Sequence, residues 1–193
     1  MAHGSRETEI KLAVRSAALA RHLLREAGLR ISRPRVFEAN TIFDTPRGTL
    51  RKAGALLRVR EAGRAATLTY KGAATVTRHK TREELEVGIS EAPITQKLIE
   101  RLGFQPAFRY EKFRTEYQPA AGAGVAMLDE TPIGVYLELE GSPHWIDRTA
   151  RQMGFTAKDY STATYAWLYM DWCRQRGVKP SHMVFPRKRA RRG

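Results

Sequence analysis

The chain has 193 residues, of which 42% are apolar, and a formal net charge of +14. This length suits one domain, and the basic balance favours polyanionic partners such as nucleic acid, polyphosphate or phosphorylated small molecules. A lone cysteine, Cys173, excludes an internal disulfide and favours a cytoplasmic protein. The sequence shows neither a long apolar run nor a signal-peptide core, so we expect neither a membrane span nor secretion.

The first half of the chain predicts one helix and five extended segments. Ser16 can cap a helix over residues 17–27, in which leucines recur on one stripe and Gly28 provides the stop. Residues 44–48 have the composition of a turn. The extended segments, in chain order, are residues 7–14, 34–43, 55–61, 66–71 and 80–89.

The second half predicts three more strands and three more helices. Ser90 can cap one helix, Ser142 can open another, and an aromatic helix is expected at about 159–176. The strands are predicted at residues 106–117, 125–130 and 135–140. We therefore predict one domain over residues 1–176, followed by a basic, disordered tail over residues 177–193.

Ionisable residues alternate with apolar residues along most of these strands. Arg58 and Arg60 alternate with aliphatic residues in one strand, and Glu138 and Glu140 do so in another. Side chains two residues apart lie on the same face of a strand. Each such strand therefore has one charged face and one apolar face.

Two folds are compatible with this alternation. In a sandwich the charged faces would simply be exposed to solvent. Eight antiparallel strands can instead close into a barrel, and the amphipathic helices need apolar surface to cover. If the helices cover the outer faces, the charged faces look inward. We therefore predict an α+β fold, an eight-stranded antiparallel β-barrel with a polar lumen and helices packed outside.

The predicted lumen contains acids and bases in equal number. A dry lumen with so many charges would be prohibitive, but paired charges, a bound anion and hard metal ions would resolve the strain. Oxygen ligands suit Mg²⁺ and Mn²⁺, and arginine suits phosphate. The acids are Glu7, Glu9, Glu84, Glu86, Asp129, Glu138 and Glu140, and the bases are Lys11, Arg58, Arg60, Lys71, Arg82, Lys112 and Arg114.

Several motifs, in order along residues 7–172, resemble those of the CYTH superfamily, the triphosphate tunnel metalloenzymes. Glu7-Thr8-Glu9-Ile10-Lys11 is similar to its ExExK signature, and Phe43-Asp44-Thr45-Pro46 opens a run similar to its FDTP…LRKxGxxLRxR motif. The remaining matches are Leu68–Gly72, Arg82–Glu86, Lys112–Arg114, Leu128–Glu130 and Leu137–Gly141. The ExExK motif alone is weak, but seven motifs in family order are specific.

The resemblance implies a role for each lumen group. It implies that Glu7, Glu9, Glu138 and Glu140 bind Mg²⁺ or Mn²⁺, with Asp129 as a further ligand. Phosphate binding would fall to Lys11, Arg58, Arg60, Lys71, Lys112 and Arg114. Catalytic roles would fall to Glu86, Asp129 and Lys71, whereas Arg82 and Glu84 would form ion pairs at the wall.

The resemblance also implies an activity, metal-dependent hydrolysis of tripolyphosphate, thiamine triphosphate or a nucleoside triphosphate. One alternative is an adenylyl cyclase that converts ATP to cyclic AMP and pyrophosphate. Another is a non-catalytic module that binds polyphosphate or nucleic acid, with weak polyanion binding through the basic tail. The sequence fixes neither the substrate, the preferred metal nor the choice between monomer and homodimer.

Some conspicuous residues are expected to have structural roles only. Asp44 is expected to cap the turn that follows it rather than to bind metal, and Arg51 is expected to be exposed. His79 is expected in solvent. The aromatic residues expected in the outer core are Tyr165, Tyr169 and Trp172.

Overall fold

The computed structural model describes residues 3–120, 122 and 124–186. Its strands are β1 (His3–Val14), β2 (Arg30–Asp44), β3 (Leu56–Ala62), β4 (Ala65–Lys71), β5 (Thr75–Val76), β6 (Lys80–Ile89), β7 (Gln105–Gln118), β8 (Gly124–Thr131) and β9 (Gly134–Gly141). Its helices are α1 (Ala17–Glu26), α2 (Thr49–Lys52), α3 (Ala92–Arg101), α4 (Pro143–Gln152) and α5 (Tyr165–Arg176), with a 3₁₀ turn at Ala157–Asp159. None of these helices is long and apolar enough to cross a membrane.

Eight of the strands close into a barrel. Their order is β1-β9-β8-β7-β2-β3-β4-β6, and β6 pairs back to β1. All these pairings are antiparallel, and the two-residue strand β5 pairs with β6 outside this closed order. The structure confirms the predicted fold class, with the helices outside the barrel.

The apolar faces of the strands point outward and are covered by helices. Ile10 and Leu12 of β1 pack with Leu24 of α1 and Ile146 of α4 in the largest core cluster, and all four are fully buried. Burial of each such side chain contributes about 1.5–3 kcal/mol. Because this surface is on the outside, the opposite, charged faces must line the lumen.

Helix α4 approaches the barrel closely at one glycine. A Cβ atom at Gly124 would lie 2.5 Å from the ring of Trp145, which is itself buried. Only a residue without a side chain allows this contact. Ser142 caps the helix as predicted, since its Oγ accepts a hydrogen bond from the Trp145 backbone N–H at 3.2 Å.

Two predicted helix starts are wrong. The residue that caps α3 is Glu91, without a side-chain hydrogen bond, rather than Ser90. With Ser90 as the cap, its side chain could accept only from the N–H of Ala92, because the other usual donor position is Pro93, which has no N–H. Helix α5 begins at Tyr165 instead of about residue 159, because the backbone of Ser161 exchanges two hydrogen bonds with Lys11 of β1.

The segment after α5 differs in part from the predicted disordered tail. Met183 is fully buried and pairs with β7, accepting from the Glu111 N–H at 2.8 Å and donating to the Arg109 carbonyl at 3.0 Å. Strand β8 pairs with β7 only from Phe113 onward, so the β7 edge beside Arg109 and Glu111 is available to this segment. Residues 187–193, which carry the basic run, lie outside the described residues.

Candidate functional site

The structure brings every predicted lumen residue to the inner face of the barrel. The buried members are Glu7, Glu9, Lys11, Arg58, Lys71, Arg82, Lys112, Arg114, Asp129 and Glu138. The half-buried members are Arg60, Glu84, Glu86 and Glu140. The two-residue periodicity of the strands therefore identified the inward-facing positions correctly.

The glutamates of the first motif are held by lysine and arginine side chains. Glu7 contacts Lys71 Nζ at 2.6 Å and Arg82 Nε at 3.0 Å, and Glu9 contacts Lys80. Burial raises the pKa of Glu9, but Lys11 and Lys80 outweigh it and lower this pKa to about 2. Both carboxylates are thus ionised and neutralised by cations that a competing metal would have to displace.

Asp129 accepts hydrogen bonds from three side chains. Arg114 donates through Nε to Oδ1 at 2.7 Å and through Nη2 to Oδ2 at 2.6 Å, and Lys112 Nζ lies 2.8 Å from Oδ2. The Tyr165 hydroxyl donates to the same Oδ2 at 2.6 Å. Asp129 is fully buried. In this conformation its oxygens orient two predicted phosphate ligands and are not free for a metal.

One side of the lumen carries excess negative charge. Burial raises the pKa of Glu140 to about 7, and repulsion from Glu7, Glu84 and Glu9 adds to the effect against the opposing attraction of Lys71. Burial and a hydrogen bond with Glu7 likewise raise the pKa of Glu84 to about 7. A cation placed here would favour ionisation of both.

The carboxylate oxygens on this side are chemically suited to a divalent metal, but they are not already grouped as a coordination site. Hard cations take carboxylate oxygens, and Glu9 and Glu140 are direct cross-strand partners on β1 and β9. Within the described residues, however, no three His, Cys, Asp or Glu side chains form a ready metal cluster. Lys71 Nζ lies between Glu7 and Glu84, and Lys11 Nζ lies between Glu9 and Glu138, so metal binding requires these side chains to move.

The opposite side of the lumen, formed by β2, β3 and β7, is rich in hydrogen-bond donors. Arg58 Nη2 donates to Thr69 Oγ1 at 3.1 Å and contacts Glu86 Oε2 at 3.4 Å. Burial raises the pKa of the Tyr110 phenol, but the charges of Arg58, Lys112 and Arg60 outweigh it and lower this pKa. Among the described lumen residues of these three strands one carboxylate, Glu38, faces four cations, so the wall is net positive; the cations are Arg58, Arg60, Lys112 and Arg114.

Sequence reasoning missed five residues of the lumen. Glu38 and Asn40 lie at inward-facing positions of β2, and Lys80 lies at an inward-facing position of β6. The alternation of residue types along these strands could therefore have identified all three. Tyr110 lies two residues before Lys112 in β7 and therefore shares its inward face. No sequence signal identifies Tyr165, since it comes from a helix that reaches into the lumen through the tertiary fold.

The structural roles predicted for other residues hold in part. Asp44 accepts backbone hydrogen bonds from Thr45, Leu50 and Arg51, at 2.7–3.1 Å, and so caps the turn as predicted. Arg51 is exposed as predicted. The prediction for His79 is wrong: it is buried, with Nε2 2.8 Å from Asp147 Oδ1, because α4 supplies this carboxylate.

Helix α5 places aromatic residues at one end of the lumen. Tyr165 and Tyr169 pack in a cluster with Phe108 and Tyr110 of β7 and with Tyr136 of β9. The prediction of an outer-core position is therefore wrong for Tyr165, whose ring also lies 5.0 Å from Lys112 Nζ and whose hydroxyl bonds Asp129.

Comparisons with known proteins match the fold and the motifs. The CYTH domain model matches residues 5–165. A candidate adenylate cyclase of Methanocaldococcus jannaschii is 27% identical over 136 residues, which are 70% of this chain and 77% of that protein.

Two solved structures show the same fold. A Pyrococcus horikoshii protein has a TM-score of 0.72 at 24% identity, covering 86% of this chain and 98% of its own. A candidate adenylyl cyclase from Hippeastrum, described as having a dominant triphosphatase activity, has a TM-score of 0.62 at 19% identity over 90% of this chain and 97% of its own. Because the family model covers most of the sequence, the chain belongs to the CYTH domain family.

Proposed function

We propose that the protein is a divalent-metal-dependent triphosphatase that hydrolyses tripolyphosphate, thiamine triphosphate or a nucleoside triphosphate inside the barrel. The observation that carries this proposal is the division of the lumen. Carboxylates in excess lie on β1, β6 and β9, where the pKa of Glu84 and of Glu140 is about 7, whereas arginines and lysines lie on β3 and β7. A metal–polyphosphate complex has the complementary arrangement of charge.

The carboxylate side supplies the metal ligands in this proposal. Glu7, Glu9, Glu138 and Glu140 would hold Mg²⁺ or Mn²⁺ through oxygen. The bound ion would polarise a phosphoryl oxygen and help to neutralise the developing charge. Asp129 is a different case, because its oxygens already bind Arg114, Lys112 and Tyr165; we propose that its contribution is to position these donors, and its predicted metal and catalytic roles stay predictions.

The basic residues bind and orient the phosphate chain. Arg58, Arg60, Lys112 and Arg114 would contact the non-reacting oxygens, together with Lys11 and Lys71 once these leave their glutamate partners. Phosphoryl transfer depends mostly on such positioning and charge neutralisation. Glu86 accepts from Thr69 Oγ1 at 2.7 Å and is only partly buried, so in this proposal it can contact the attacking water, which is one form of its predicted catalytic role.

Adenylyl cyclase activity is the second candidate. The observation in its favour is the 27% identity to a protein named as a candidate adenylate cyclase. The Hippeastrum protein, with the same fold, is described as having a dominant triphosphatase activity despite its cyclase name. The basic side and the carboxylate side of the lumen would suit any triphosphate. Cyclisation also needs a site for the adenine base, and we assign no residue to such a site.

The deciding experiment is a product assay with a substrate panel. Tripolyphosphate, thiamine triphosphate, ATP and GTP are incubated with Mg²⁺ or Mn²⁺, and phosphate, pyrophosphate and cyclic nucleotide are resolved separately. We expect phosphate release that EDTA abolishes and that Glu9→Gln with Glu140→Gln removes. Cyclic AMP with pyrophosphate would establish the second candidate, and no turnover of any substrate would contradict both.

A further inference from the structure

Buried polar atoms without partners concentrate on one wall of the lumen. Three of them are Asn40 Nδ2, Arg58 Nε and Thr67 Oγ1, which no described group satisfies. Asn40 is 2% exposed and Arg58 is 6% exposed. A fourth atom, Glu38 Oε2, is an acceptor with Lys112 Nζ at 3.6 Å as its counter-ion. Buried hydrogen-bond donors are rarely left unpaired, so the three unpaired donor atoms named first indicate that an acceptor belongs beside them.

These atoms belong to neighbouring positions on the inner face of the barrel. Asn40 of β2 has Tyr110 of β7 as its partner on one side and Arg60 of β3 on the other. Thr67 of β4 is the next partner beyond Arg60. Arg58 lies two residues from Arg60 on the same face, diagonally across from Asn40. Diagonal neighbours in antiparallel strands are within reach of one small ligand.

The orientation of the Asn40 amide is fixed by Arg60. Arg60 Nε donates to Asn40 Oδ1 at 3.3 Å, so the amide oxygen is used and the NH₂ group is left to donate elsewhere. The Tyr110 hydroxyl accepts from Arg58 Nη1 at 3.5 Å, which leaves its own proton available. Donors in such a positive environment favour an anionic oxygen as acceptor.

We propose that Asn40 is a further substrate-binding residue, which donates through Nδ2 to an oxygen of the phosphoryl group bound by Arg58 Nε and the Tyr110 hydroxyl. This inference rests on the proposed function and adds a neutral donor to its cationic ligands. A lysine would supply only a mobile point charge at this position, whereas the amide held by Arg60 supplies a donor of fixed direction. The three donors, on Asn40, Arg58 and Tyr110, would therefore align one phosphoryl group as well as bind it.

Tripolyphosphate is the probe for this site. Its dissociation constant is measured by titration calorimetry in EDTA, its KM and kcat with Mg²⁺, and the rise in unfolding temperature that it causes by thermal melts. Asn40→Ala removes the donor, and Asn40→Asp is isosteric but replaces it with a negative acceptor. Thr41→Val is the matched control, since Thr41 is the next residue of β2, is buried, and faces outward.

We expect Asn40→Ala to raise Kd and KM about tenfold, the effect of one lost hydrogen bond to a charged acceptor, and Asn40→Asp to raise them further. Nδ2 has no partner in the free protein, and Asn40→Asp keeps the acceptor of Arg60 Nε that Asn40→Ala loses, so both variants should fold. Both should be stabilised less by tripolyphosphate than Thr41→Val is. Unchanged Kd in both Asn40 variants, with the wild type binding normally, would overturn this inference alone. A wild type that neither binds nor hydrolyses a triphosphate would instead overturn the proposed function.

Discussion

Replacement of Tyr165 by phenylalanine tests how the C-terminal helix is joined to the lumen. The change removes only the hydroxyl that donates to Asp129 Oδ2 at 2.6 Å. A hydrogen bond to a charged group contributes about 1.5–3 kcal/mol, and Asp129 keeps its contacts to Arg114 and Lys112, so we expect a loss of about 1.5 kcal/mol. For a domain of this size that corresponds to a decrease of about 3–6 °C in Tm.

Tyr169→Phe is the matched control on the same helix. Among the described residues the Tyr169 hydroxyl has only neutral partners, Ser181 Oγ at 3.4 Å and the Ser181 N–H at 3.3 Å. We expect this variant to lose about 0.5 kcal/mol, at the lower end for neutral hydrogen bonds. Urea unfolding of both variants beside the wild type gives the comparison. If Tyr165→Phe costs no more than Tyr169→Phe, the contact with Asp129 does not stabilise the fold as inferred.

The pH dependence of the same variant provides a second readout. Burial raises the pKa of the Tyr165 phenol well above 10, and the neighbouring carboxylate of Asp129 raises it further. The unfolded chain therefore loses this proton near pH 10 while the folded protein keeps it, so the free energy of unfolding decreases as the pH rises above 10. Tyr165→Phe should make this alkaline decrease shallower, and an identical slope in both proteins would contradict the assignment.

The remaining predictions concern an acid, a close contact and a cap. Burial raises the pKa of Glu140 to about 7, so without metal its contribution to stability is lost as the pH rises from about 4.5 through 7. Glu140→Gln should accordingly be more stable than the wild type at pH 8 in EDTA although it loses metal-dependent turnover; thermal melts showing equal or lower stability would contradict this. Gly124→Ala should cost about 1–3 kcal/mol, because its Cβ would lie 2.5 Å from the Trp145 ring, whereas Gly88→Ala, with no atom within 4 Å of its Cβ, should cost much less; equal unfolding midpoints would refute the contact. Asp44→Ala should cost about 1–3 kcal/mol, because three backbone N–H groups lose their acceptor. Although burial raises the pKa of Asp44, these hydrogen bonds lower it overall, so in acid unfolding curves the cost should begin to shrink as the pH falls below about 3.8 and be lost as the pH falls through the lower folded-state pKa. A pH-independent cost would argue against the cap.

The barrel wall was predictable because a strand has a period of two. Once Arg58 or Glu138 is placed in a strand, its neighbours two residues away share its face, whatever lies across the sheet. The same parity on β2 would have identified Glu38 and Asn40 as well. Helix starts were harder, as Ser90 shows, because capping also depends on the residues that follow the serine, and here Pro93 removes one of the two usual N–H donors.

The amino-acid sequence by itself determined which side chains face inward, which face outward, and the family motifs that they form. Only the tertiary structure decided which charges pair. Glu7 meets Lys71 across the lumen, and His79 meets Asp147 on a helix. Tyr165 reaches Asp129 from α5, and Met183 pairs with the available edge of β7. These contacts join residues far apart in the chain, and local periodicity carries no information about which distant element closes over a given strand.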